Sequence, residues 1–144
     1  MSQPQSFANH AKFVPGFHLV AFGIFVINLF WSIYGVFHFF SPQTLISLLL
    51  AVGFLLLFFY ARIFALSVQD RVIRLEMRLR LQGILPPDLL PRMPEFEVAQ
   101  LIALRFASDA ELPGLARKVL DEKMTDRKAI KKMVKDWQPD LLRA

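Results

Sequence analysis

"ALSVQDRVIRLEMRLRL", residues 65–81, either opens a new domain or prolongs the apolar helix before it. It contains no glycine or proline, and its apolar and charged residues interleave. From Ile73 to Leu81 the alternation is strict, which fits a strand as well as a helix. Composition breaks the tie. Leu, Arg, Glu and Met are strong helix formers, and β-branched residues stop at Ile73. Wound as a helix, Val68, Val72, Leu75 and Leu79 form one apolar stripe, and Leu66, Ile73 and Met77 form a second. Arg71, Arg74 and Arg78 line up between them, and Asp70–Arg74 and Glu76–Arg80 stand at helix-supporting i,i+4 spacing. Gly83 is the expected terminator, with Pro86-Pro87 beyond it. One helix therefore runs from about residue 43 to about residue 82, roughly 60 Å. Outside a membrane its two stripes require cover from the chain's own tail, a neighbouring subunit, or both.

Before this stretch, the residues between Lys12 and Arg62 carry no charge, and 13 of the 15 phenylalanines precede residue 65. A bilayer core takes about 20 apolar residues per spanning helix, so two spans with a short connection fit this length. The first is Phe17–Phe40, preceded by Pro15-Gly16, and the second covers residues 44–66. Between them, "SPQT" supplies Ser41 as an N-cap and Pro42 for the first helical position. A cleaved signal peptide fits poorly, because the first run is too long and no small-x-small site follows it. The connection has no basic residue, whereas Lys12 precedes the first span and Arg62, Arg71, Arg74, Arg78 and Arg80 follow the second. The positive-inside rule then assigns both termini to the cytoplasm.

All 12 acidic and 16 of the 17 basic residues lie from Arg62 onward, so this half is water-facing in composition. "PPDLLPRMPEF" reads as a connector and "EFEVAQLIALRFA" as a short helix burying Val98, Leu101, Ile102 and Leu104. A second helix follows a Ser108–Glu111 capping-box spacing, with Leu112, Leu115, Ala116, Val119 and Leu120 on its apolar face. "TDRKAIKKMVKDW" reads as a third, capped by Thr125, with Ile130, Met133, Val134 and Trp137 inward. Its outer face carries Lys128, Lys131, Lys132 and Lys135. Such a stripe is either a solvated helix face or a docking surface for anionic lipid or an acidic protein, with Arg71, Arg74 and Arg78 contributing. No recognisable nucleic-acid-binding module accompanies it.

Chemistry is sparse. Cysteine is lacking, which excludes disulfides and thiolate metal sites. No phosphate loop, metal-spaced cluster or nucleophile–base motif occurs, so neither an enzyme nor a cofactor is expected. Asn28, the only amide in the first span, is expected to hydrogen-bond to another helix or, in a sharper reading, to contact a substrate or ion. Ser32 and Gly35 would permit close helix approach. His18 and His38, near opposite ends of the span, would suit two haems only with further ligands, and no second histidine pairs with either.

The segments "QSFANHAKFVPGFH", "FYARIFALSVQDRVIRLEMRLRL" and "LRFASDAELPGLARKVLDEKMTDRKAIKKMVKDWQ" give the chain a resemblance to a family of small bacterial two-span membrane proteins of unknown function. It covers nearly the whole sequence and implies a bacterial inner-membrane location, with no activity or site residue to transfer. The expected architecture is an all-α membrane protein. Residues 1–16 form a cytoplasmic segment and 17–66 a transmembrane hairpin; 67–82 extend the second helix, and 83–144 form a small tail of about three short helices. The expected role is a non-catalytic membrane subunit or scaffold, as a homo-oligomer or part of a larger complex, docking on anionic lipid or a partner. The alternative is an oligomeric transport or cofactor- or pigment-binding membrane protein with its site near Asn28.

Overall fold

A computed structural model of the chain describes residue 7 and residues 13–140; most of the expected N-terminal segment, including Lys12, and the last four residues lie outside this range. The described residues form six helical segments and no strand, and two of the helices are long and apolar enough to cross a membrane. The chain divides into two compact units, with the boundary between Leu66 and Ser67.

The first unit contains α1 (Gly16–His38) and the start of α2 (Pro42–Ile84). The opening turns of α1, Gly16–Ala21, are wound as a π-helix, and Phe22–His38 is regular α-helix. At Phe39 the backbone leaves the helix (φ −136°, ψ 55°). Ser41 then caps α2 as expected: its Oγ accepts from Thr44 N–H at 3.2 Å, and Thr44 Oγ1 accepts from Ser41 N–H at 3.0 Å. Within this unit, Phe17 stacks on Phe58 at 4.1 Å and Phe25 on Phe54 at 5.8 Å. The two helices thus pass in opposite directions. A Cβ on Gly35 would lie 3.6 Å from the Thr44 side chain, an ordinary van der Waals contact. Only Ser32 and Ala51 are buried among this unit's described residues.

In the second unit α2 is helical throughout the stretch from Ser67, which decides against the strand. Ile73, Met77 and Leu81 are buried on one face and continue through Leu85 and Leu89 into a core with α3 (Val98–Leu104), α4 (Leu112–Asp121) and Ile130 of α5 (Arg127–Met133). A 3-10 turn, Leu90–Glu95, links α2 to α3. The apolar face expected for α4 is the buried one, with Leu112, Ala116, Val119 and Leu120 inside.

Several local expectations are corrected. Gly83 does not terminate α2: no glycine adopts a positive φ, the helix reaches Ile84, and Leu85 N–H still bonds to Leu81 O at 2.9 Å before Pro86-Pro87 stop it. Ser108 and Glu111 form no capping box. Glu111 instead accepts from the backbone N–H groups of Lys135 and Asp136, at 3.1 and 3.2 Å, leaving Ser108 Oγ buried without a partner. Asp126, not Thr125, caps α5, accepting from Lys128 and Ala129 N–H. That helix ends at Met133 rather than continuing to Trp137, because tertiary pairing claims the segment after it. Ala107 and Trp137 form an antiparallel bridge, Gln138 N–H donates to Phe106 O at 2.7 Å, and Trp137 stacks on the fully buried Phe106 at 4.3 Å.

Candidate functional site

Along the second part of α2 the two stripes separate. Ile73, Met77 and Leu81 are at most 4% exposed, whereas Val68, Val72, Leu75 and Leu79 are between 48% and 62% exposed. At 100° per residue these sets occupy opposite faces of the helix. The tail therefore covers one stripe and leaves the other open. Leu66, assigned to the inward stripe by spacing, is 37% exposed.

Arg80 fixes this face to the connection between α3 and α4. Its guanidinium donates to Asp109 at 2.8 Å, to Arg105 O at 3.1 Å and to Ala107 O at 2.6 Å. The expected Glu76–Arg80 pair is consequently not made, and no ion pair joins Asp70 to Arg74 among the described residues. Sequence spacing could not reveal the Arg80 clamp, because its acceptors are 25 to 29 residues away. Beside it opens a groove of about 680 Å³, lined by Val72, Glu76, Arg80 and Arg105 and by Gln138 to Asp140. Arg105, largely buried, pairs with Asp140 at 3.0 Å.

The lysine stripe is not continuous. Lys128 and Lys132 are exposed on α5, Lys131 lies over the Phe106 ring at 5.1 Å, and Lys135 falls beyond the helix end. Arg71 and Arg74 are exposed and Arg78 half-buried. Elsewhere on the second unit's surface, Arg92 pairs with Asp121 and Glu95, and Arg117 with Asp88 at 2.6 Å. The Arg117 bond holds the Asp88 carboxyl below its usual value, and the Asp121 bond raises Arg92.

In the first unit, Ser32 is buried and Gly35 faces Thr44, but Asn28 is exposed and its side chain makes no hydrogen bond among the described residues. His18 and His38 each use Nδ1 against backbone one turn back, Val14 and Tyr34 respectively, both at 3.0 Å. No group of three or more metal-ligating side chains occurs among the described residues. A Glu97–Gln100 capping box, not among the expectations from sequence, opens α3, and Gln100 further donates to Met124 O at 2.8 Å.

Comparison with curated proteins and with solved structures gave no match. A model of one family does match, over residues 1–144, and by that coverage of the whole sequence the chain belongs to the family of unknown function DUF6526.

Proposed function

We propose that this chain is a non-catalytic integral membrane subunit or scaffold of the bacterial inner membrane. The carrying observation is the surface of the first unit. Ile27, Trp31, Phe37 and Leu57 are 66–83% exposed, and only 6% of the residues in the most apolar stretch of either long helix are buried. A core helix of a water-soluble fold buries such a surface; a bilayer solvates it. In this reading α1 and the start of α2 form a transmembrane hairpin, both termini are cytoplasmic, and the second unit is a helical docking body. Its Lys128 and Lys132, with Arg71, Arg74 and Arg78, give it a basic surface suited to anionic headgroups or an acidic partner.

The test is made on the full chain in native membranes. The protein should resist alkaline carbonate extraction, and Gln43→Cys should react with an impermeant maleimide from the periplasmic side while Lys128→Cys reacts only after the membrane is opened. Extraction by carbonate, or labelling of both from one side, rejects the reading. In nanodiscs, Lys128→Glu with Lys132→Glu should reduce protection of α5 against hydrogen exchange only when the lipid is anionic.

One observation favours a second reading. Asn28 presents an amide on an apolar surface without a partner among the described residues, as an oligomeric transport or pigment site would require. Asn28→Leu should then abolish transport or the absorption spectrum while assembly persists. Loss of assembly alone returns Asn28 to the role of helix contact.

A further inference from the structure

The open stripe on α2 has the 4,3,4 spacing of a two-helix seam, with Val68 and Leu75 at d positions and Val72 and Leu79 at a positions. We propose that this stripe is where a second copy of the same chain packs, α2 against α2 and parallel. The charges flanking the stripe identify the occupant. In this register Arg71 and Arg78 occupy g positions, and Gln69 and Glu76 occupy e positions. In a parallel pair each g residue meets the e residue five places further along the other helix. Arg71 of one copy therefore meets the partner's Glu76, and two-fold symmetry makes the pair twice. An antiparallel pair would oppose g to g, placing the arginines against one another.

Both groups are available for the contact. Arg71 and Glu76 are exposed, and neither side chain makes an ion pair or hydrogen bond among the described residues. Glu76 is released because Arg80, four residues on, is held by Asp109 and two backbone carbonyls. The clamp that fastens the tail to one face of α2 thus leaves a carboxylate for the other. The membrane reading adds a second reason, on which the seam does not depend: copies inserted in the same sense bring their α2 helices together only in parallel.

The chain has no cysteine, so single substitutions report without background. Val68→Cys, Val72→Cys, Leu75→Cys, Leu79→Cys and Arg74→Cys are oxidised in native membranes, each in the full-length protein. The first four should form same-position disulfide dimers, and Arg74→Cys should not. In detergent, Arg71→Glu and Glu76→Arg should each weaken dimerisation about tenfold, and the two together should restore it. A monomeric wild type, cross-linking at position 74 equal to that at the other four, or a double variant as weak as the singles overturns the proposal. So does labelling of the four positions by a lipid-borne photoprobe without cross-links, which would assign the stripe to lipid. Carbonate extraction is scored separately: disulfide dimers of a protein that leaves the membrane retain the seam and reject only the anchor.

Discussion

At the scale of single residues, Glu111 and Ser108 make opposite contributions to the fold. The Glu111 carboxylate satisfies two backbone donors of the segment after α5, whereas the Ser108 hydroxyl is buried without a partner. Glu111→Ala should therefore destabilise the second unit by about 1–2 kcal/mol, and Ser108→Ala should be neutral or stabilise it by up to about 1 kcal/mol. Chemical denaturation in mild detergent measures both. A true capping box would reverse the serine result. Asp88 supplies a pH dependence. Its carboxyl is held below the ordinary 3.8 first by the hydrogen bond from Arg117. A depressed folded-state pKa stabilises above the unfolded value, and that contribution disappears as pH falls through the folded one. The wild type should lose stability more steeply than Arg117→Gln below pH 3.8, by a small margin because the pair is exposed.

Among elements, α2 shows how far composition resolves an ambiguous period. Strict alternation over Ile73–Leu81 matched a strand, and the residue types selected the helix that forms. Arg78→Pro should break it, removing the bond to Arg74 O at a cost of about 3 kcal/mol or more, visible as lost helical circular dichroism and lost protection of α3 and α4. The Ser41 cap and the inward face of α4 were readable for a similar reason, since both depend on neighbours three or four residues away. The end of α5 was not readable. Val134 and Trp137 continue the apolar spacing, but Trp137 stacks on Phe106, some thirty positions earlier in the chain, and no local period encodes that attraction. Arg80 was legible only as one of a row of arginines; its role comes from carbonyls just beyond the C-terminal end of α3. The candidate interaction surface was half legible: spacing gave two stripes, and only the packed tail distinguishes the covered one from the open one.

For the molecule as a whole, the division into two compact units predicts separable responses. Leu81 has no exposed surface, and Leu81→Ala should cost the second unit about 2–5 kcal/mol. Hydrogen exchange should then accelerate across α3 and α4 while the amides of Phe22–His38 keep their wild-type rates. Acceleration in both would mean that the units unfold as one. A different consequence follows from the connection between α1 and α2, where Phe39, Phe40 and Ser41 are all that separate the helices and Ser41 and Thr44 lock each other by paired hydrogen bonds. So short a link closes at little entropic cost, which lets the second helix find the first as soon as it leaves the ribosome. Exchange of the first helix between copies would have to break the paired Ser41–Thr44 hydrogen bonds, so the junction itself holds the two helices of one protomer together.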